Sequence, residues 1–232
     1  LADGSVIVTW QSYSYNHEEP NNWSTGLYGQ RYDSSGKALG DEFQVNTYTS
    51  SDQVDSSVTA LDDGGFAVTW QSGSGHYNGS SHDIYAKTFT VTDASGDPVG
   101  TPQTQVDEFL VNGGSDRSTV SGNQWDPAIT SLKDGGFVVT WEDQSGYDGS
   151  SEGIYGQRFN ADGGRDGEEF QINTHTSSAQ SDPAVATLED GGFVVTWQSN
   201  NQDAGSNDLG IFAQRYDKSG ATFGDEFQVN SY

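Results

Sequence analysis

Cysteine and methionine are both absent from the 232 residues, and only nine lysines and arginines stand against 34 aspartates and glutamates. The missing cysteine excludes disulfides, thiolate metal sites and a cysteine nucleophile. The shortage of positive charge, with a formal net charge of -25, excludes ordinary binding to phosphate backbones and to anionic membrane surfaces. No apolar run approaches the ~20 residues of a membrane-spanning helix. Cations, divalent ones above all, are the natural counter-species of such a chain. The sequence opens "LADGSVIVTW", without an initiator methionine and in the middle of a repeated phrase, so it reads as a piece of a longer precursor or a processed product.

What is abundant argues for a folded protein. Six Trp, eleven Tyr and eleven Phe recur in ordered, strand-like clusters, which a disordered acidic chain lacks. One phrase occurs four times: "LADGSVIVTW" from Leu1, "LDDGGFAVTW" from Leu61, "LKDGGFVVTW" from Leu132 and "LEDGGFVVTW" from Leu188. Each is followed by a second phrase ("GLYGQRYD", "DIYAKTFT", "GIYGQRFN", "GIFAQRYD") and closed by a third ("DEFQVN", "DEFLVN", "EEFQIN", "DEFQVN"). The repeats divide the chain into units 1–52, 53–123, 124–179 and 180–232 of one repeat domain.

Each unit reads as four short antiparallel strands. In the third, Pro127–Leu132 is strand a, Asp134-Gly135 a tight turn, Phe137–Trp141 strand b, Ile154–Phe159 strand c and Glu169–Asn173 strand d. Strand b is apolar on both faces, Phe137, Val139 and Trp141 pointing one way and Val138 and Thr140 the other. A strand covered on both sides belongs to sheets stacked around an axis, so the expected fold is an all-β, β-propeller-like body of four blades. The first blade is incomplete because unit one has no strand a. A propeller is favoured over a row of small sandwiches, whose units are too short to close their own cores, and a closed four-bladed body with one incomplete blade is favoured over a stretch cut from a longer array.

The phrases "DGGFVVTW", "GIYGQRF" and "GDEFQVNT" resemble repeats of large secreted bacterial proteins that commonly also carry haemolysin-type (RTX) calcium-binding nonapeptides. The resemblance implies an extracellular or cell-surface location and an adhesive or structural role. The nonapeptide signature G-G-x-G-x-D is missing here, so that mode of calcium binding does not carry over.

Four of the nine cations occupy one repeat position on strand c: Arg31, Lys87, Arg158 and Arg215. An acid precedes the Phe of strand d in every unit: Glu42, Glu108, Glu169 and Glu226. Cross-strand ion pairs between the two sets are expected. Asp33, Asp93, Asn160 and Asp217 open D-x-x-G-type turns, where their side chains bond the backbone ahead.

The segment between strands b and c varies most. On a propeller these four loops emerge at one end, where a rigid scaffold presents functional residues. Calcium needs six to eight oxygens from flexible, Gly-containing loops. The candidate ligands are Asn78 and Asp83 in the second loop, Asp143, Asp148 and Glu152 in the third, and Asp203 and Asp208 in the fourth. Glycan recognition would draw instead on His76, Tyr77, Tyr147 and the two tryptophans outside the repeat pattern, Trp23 and Trp125, because sugars bind aromatic faces flanked by amides and carboxylates.

Catalysis has little support at this level. The four histidines show no H-E-x-x-H spacing, and no G-x-S-x-G elbow occurs. The expectation is a secreted, non-enzymatic surface or adhesion module whose acidic loops are stabilised by Ca2+. Its partners would be divalent cations, with glycans or cell-surface proteins and self-association in a longer array as further partners. A lectin-like propeller is the alternative, and a glycoside hydrolase the distant third.

Overall fold

The structure, a computed structural model, describes residues 1–15, 23–73, 82–93, 95–113, 122–146, 149, 152–202 and 209–231. Fifteen strands form four antiparallel sheets, with no helix among the described residues. The first sheet has three strands, β1 (Val6–Tyr15), β2 (Trp23–Tyr32) and β3 (Ala38–Gln44). The second has four, β4 (Gln53–Ala60), β5 (Phe66–Ser72), β6 (Asp83–Thr92) and β7 (Pro98–Leu110). The third is β8 (Gln124–Ser131), β9 (Phe137–Asp143), β10 (Gly153–Phe159) and β11 (Phe170–Gln171). The fourth is β12 (Gln180–Thr187), β13 (Phe193–Asn200), β14 (Leu209–Tyr216) and β15 (Phe227–Gln228). The chain is all-β and β-propeller-like, four blades with the first lacking its innermost strand. The inner strands β4 and β12 each pack against β8, and β1 takes the inner position in blade one, against β4. Among the described strands no comparable packing joins blade four to blade one, so the expected closed ring is corrected to an open arc of blades.

The recurring "DGG" has a steric cause. Its first Gly turns with positive φ at Gly64, Gly135 and Gly191. A Cβ on the second would stand 2.2 to 2.3 Å from a strand-c carbonyl oxygen, at Gly65, Gly136 and Gly192. The side chain must be absent for strand c to close over the turn.

Strand b behaves as a strand between two sheets only where two neighbours exist. Every residue of β5 and β9 is buried, whereas β13 alternates between buried and half-buried. The core lies between blades. Phe137, Val139, Trp141, Tyr155 and Phe159 of blade three pack on Ala67, Ile84, Ala86 and Val111 of blade two. The opposite face of blade three, Val138, Ile154 and Ile172, packs on Phe193, Val195, Trp197, Phe212 and Tyr216 of blade four.

The Asn ending each third phrase staples strand c. Asn46, Asn112, Asn173 and Asn230 accept through Oδ1 from the backbone N–H of Leu27, Ile84, Ile154 and Ile211 at 2.6 to 2.9 Å. Asn112 and Asn173 also donate to Gln124 and Gln180, the first residues of the next blade's inner strand. Removing such a buried partner costs about 1–3 kcal/mol per stranded polar group. Asn173→Leu is therefore expected to lower the free energy of urea unfolding by about that much or more. A loss below about half a kcal/mol would show that water takes over the freed groups.

The expected cross-strand ion pairs are corrected. Arg31, Arg158 and Arg215 pair with the turn aspartates Asp3, Asp134 and Asp190, Arg158 adding Asp166 at 3.0 Å, and Lys87 reaches Asp107 at 3.5 Å. The strand-d glutamates point to the neighbouring blade. Glu108, Glu169 and Glu226 accept through Oε2 from the backbone N–H of Thr47, Gly113 and Thr174. The turn aspartates win because the tight a–b turn delivers them beside strand c of their own blade. The Asx-type turns occur as expected: Asp33, Asp93 and Asp217 each accept backbone N–H bonds from two and four residues ahead.

Candidate active site

The inner strands β4, β8 and β12 carry the same irregularity at the same place. The pairing register shifts between Val54 and Ser57, between Trp125 and Ala128, and between Ser181 and Ala184. The bulge residue is an aspartate with positive φ in each: Asp55 at 53°, Asp126 at 50° and Asp182 at 52°. Aspartate tolerates this conformation better than most residues, and bulges concentrate next to active sites, where they re-aim a side chain. The three acids converge on the axis. Burial pushes the Asp126 carboxyl above the usual range, and the charges of Asp182 and Asp55 push it further the same way.

Beside them stands Glu142, next to last in β9 and directly across the ladder from Trp125. The other three units have glutamine here, Gln11, Gln71 and Gln198. Gln11 accepts from the Asp55 N–H at 3.2 Å, and Gln198 donates to Asp182 at 2.7 Å. Glu142 carries an acid into a position built for an amide. It is only 5% exposed, and burial, reinforced by the charges of Glu152, Asp126 and Asp182, pushes it up to about 7. It is therefore half protonated near neutrality.

Its partner is Glu152, at the far end of the same b–c loop. Gln144 Nε2 donates to Glu142 Oε1 and Glu152 Oε1, at 3.2 Å each. The Glu152 carbonyl accepts the Gln180 N–H from blade four. Two carboxyl groups with separate environments, one of them raised by burial, are thus brought together at the loop end of blade three. Trp125 adds an aromatic surface, its ring meeting that of His82 edge-on at 5.7 Å.

The sequence-derived candidates divide accordingly. Glu152 and Trp125 belong to this cluster. Asp143 is buried and occupied, accepting from Ser145 N at 2.8 Å and from Gln124 Nε2 at 3.2 Å. Asp83 is buried and accepts from Asn112 at 3.0 Å. Both hold the ends of their strands. Trp23 begins β2, its backbone paired with Tyr15. His76, Tyr77, Asn78, Tyr147, Asp148, Asp203 and Asp208 lie outside the described residues. Among the described residues no group of three or more His, Asp or Glu has metal-holding geometry. No helix is long and apolar enough to cross a membrane.

Sequence reading missed Glu142, Asp55, Asp126 and Asp182. Two signals carried them: "TWED" where the other three units read "TWQS", and the recurring Gln-x-Asp at Gln53, Gln124 and Gln180.

No protein-family model matches the chain, and no curated protein matches it in sequence. Solved structures do. The α-L-arabinofuranosidase Arb93A of Fusarium graminearum, in complex with an iminosugar inhibitor, is 14% identical with a TM-score of 0.62, covering 100% of this chain and 64% of that one. The α-L-arabinanase of Penicillium chrysogenum complexed with arabinobiose is also 14% identical with a TM-score of 0.62, covering 99% and 64%. A protein of unknown function from Dyadobacter fermentans reaches a TM-score of 0.56 at 9% identity, covering 97% and 65%. The chain thus spans about 64% of the length of the first two. Likeness at this identity establishes the propeller fold. It also overturns the expectation of a non-enzymatic surface or adhesion module: this architecture is the one on which those glycoside hydrolases are built. The absence of histidine and serine motifs does not bear on this chemistry, because glycoside cleavage needs only two suitably placed carboxyl groups, a pairing that the sequence alone leaves open among 34 acids.

Proposed function

We propose that this protein is a carbohydrate-active enzyme that cleaves glycosidic bonds, with Glu142 as general acid and Glu152 as the second carboxylate. The observation that carries this reading is the buried Glu142, raised to about 7 and tied through Gln144 to Glu152. Glycoside hydrolysis needs a carboxylic acid that keeps its proton near neutral pH to protonate the leaving oxygen. It also needs a second carboxyl group acting at the anomeric carbon as nucleophile or base. Burial supplies the first. Gln144 links the second to it, its amide donating to both carboxyl groups at 3.2 Å; as a neutral donor it bonds either carboxyl in whichever state it is in. Asp126 and Asp182 add negative charge that keeps the Glu142 proton in place and favours the positive charge that develops on the sugar ring. Trp125 offers a face for sugar stacking.

Arabinose-containing oligosaccharides are the substrate class to try first, because arabinobiose is bound by the structurally similar arabinanase. A secreted setting fits such a substrate and the cysteine-free, acidic composition. The experiment is turnover on a panel of aryl arabinofuranosides, xylosides and linear arabino-oligosaccharides. Release of sugar from at least one class supports the reading. Binding of oligosaccharide without turnover would replace it with a lectin.

A further inference from the structure

The three junctions between blades share an acidic slot beside strands c and d, and in two of them the chain fills it with a cation of its own. Between blades one and two the occupant is Lys87. The ladder sets Lys87 across from Val68, level with Gln157 and Gln214 across from Val139 and Val195, rather than level with Arg158 as the aligned phrases suggest. Its ammonium donates to Thr47 Oγ1 at 3.0 Å, reaches Asp107 at 3.5 Å and stands 5.6 Å from the centre of the Phe89 ring. Between blades two and three the occupant is Arg165, which bridges to Phe159. Its guanidinium donates to Gln157 Oε1 and to the Val111 carbonyl, both at 2.8 Å, and stands 5.8 Å from the centre of the Phe159 ring. Glu169 and Glu168 supply the opposing charge.

Between blades three and four the slot has the same acids, Asp225 and Glu226, and no lysine or arginine lines it. Thr222 takes the place of Arg165, bridging to Tyr216 as Arg165 does to Phe159, and Gln214 takes the place of Lys87. A cavity of about 400 Å³ results, lined among others by Thr174, Gln202, Gln214, Thr222, Asp225 and Glu226. It faces blade three, whose Thr174 N–H and hydroxyl donate to Glu226 Oε2 at 2.6 and 2.9 Å. Gln214 is only 2% exposed. Its Nε2 donates to the Arg215 and Gly224 carbonyls at 2.9 and 3.1 Å, as Gln157 Nε2 does to those of Arg158 and Gly167 at 2.8 and 3.0 Å. Gln214 Oε1 therefore points as the Arg165-binding oxygen of Gln157 does, and it accepts from no described residue. Gln202 donates to Glu226, and its own Oε1 is buried without a partner among the described residues.

We propose that this third slot binds a small organic cation through a guanidinium or primary ammonium head group, held as Arg165 and Lys87 are held in the other two. Every feature of the cavity asks for a positively charged donor: two carboxylates, two amide oxygens without partners, and the Tyr216 ring where Phe89 and Phe159 face their cations. An organic head group fits better than a metal ion. Calcium needs six to eight oxygens, and among the described residues no group of three or more acids or histidines has metal-holding geometry. The slot shares no residue with the carboxyl pair of blade three and stands independently of the catalytic reading.

The test is titration calorimetry on the full chain with agmatine, N-acetyl-argininamide and calcium. Sodium chloride at matched ionic strength is the control, because a charge of -25 gathers any cation loosely. Agmatine should bind saturably, one per chain. Thr222→Arg supplies the slot from within, as Arg165 does one junction earlier. Thr222 is exposed, so this variant is expected to fold, to melt higher than wild type and to lose saturable agmatine binding. Asp225→Asn, at the exposed acid that matches Asp107, should keep the wild-type melting temperature and weaken agmatine by about tenfold or more. N-acetyl-argininamide presents the same head group on a peptide stem and should bind no tighter than agmatine. Tighter binding would make the occupant a partner's arginine and overturn the free cation. Absence of saturable agmatine binding, a preference for calcium, or agmatine binding that survives both substitutions also overturns the proposal.

Discussion

Glu142→Gln is expected to reduce glycoside turnover by about 10²–10⁴-fold, the range a positioned general acid contributes, while making the protein more stable at alkaline pH. The substitution installs the residue that units one, two and four already carry, so the fold has an established place for it. The sign of the stability effect follows from the raised carboxyl. Glu142 goes from an ordinary 4.5 to about 7 in the folded protein. Between those values the folded state holds a proton that the unfolded state has released, so stability falls as pH rises from about 4.5 to about 7 and stays reduced above. With allowance for partial solvent screening the penalty is roughly 2 kcal/mol. The variant should lack this decline. Asp126, raised in the same direction, keeps a smaller one. At the acid end Asp3, held down to about 2 by its bonds to Ser5 and by Arg31, withdraws stability as pH falls from its ordinary 3.8 toward 2. In the wild type the same proton is expected to set an alkaline limb of turnover near pH 7. Thermal melts across pH and a pH–rate profile on the best substrate of the panel read both effects. Full activity in Glu142→Gln would remove Glu142 from the mechanism. A melting profile as pH-dependent as wild type would show that burial does not hold its proton.

Trp70→Ala is expected to cost about 3–5 kcal/mol, whereas Val8→Ala, at an exposed position of the equivalent strand, should stay within about 0.5 kcal/mol. Trp70 is fully buried in the cluster between blades one and two, stacks near Tyr85, and donates its indole N–H to Gln53 at 2.8 Å. Truncation opens a large cavity between sheets and strands Gln53, which starts the inner strand. Val8 faces away from blade two, into the open side of blade one. Urea unfolding of both variants at low concentration reads the difference. Equal losses would mean that blade one is covered even in the single chain.

Much of the architecture was readable because it is written four times. The unit boundaries at 53, 124 and 180 are the residues where β4, β8 and β12 begin, and the two-faced apolar pattern of Phe137–Trp141 announced a strand between sheets. The candidate site was less legible for the opposite reason: it lies in departures from the repeat. Glu152 and Trp125 were noticed for their loop and their irregular placement. Glu142 differs from its repeat counterparts only by an oxygen for an amide nitrogen. Asp55, Asp126 and Asp182 look like ordinary turn residues until the bulges aim them at one axis.

By itself the sequence determined the strand periodicity, the turn chemistry and which residues are apolar on which face, because these depend on neighbours a few positions apart. It determined too that the chain is acidic and built without thiol chemistry. Only the tertiary structure decided which charges meet, since Arg158 finds Asp134 and Asp166 through the geometry of a turn. It also decided which of 34 acids is buried beside other negative charge. A carboxyl group becomes a proton donor near neutral pH through burial and the proximity of other negative charge, and both arise only when three blades bring their inner strands around one axis.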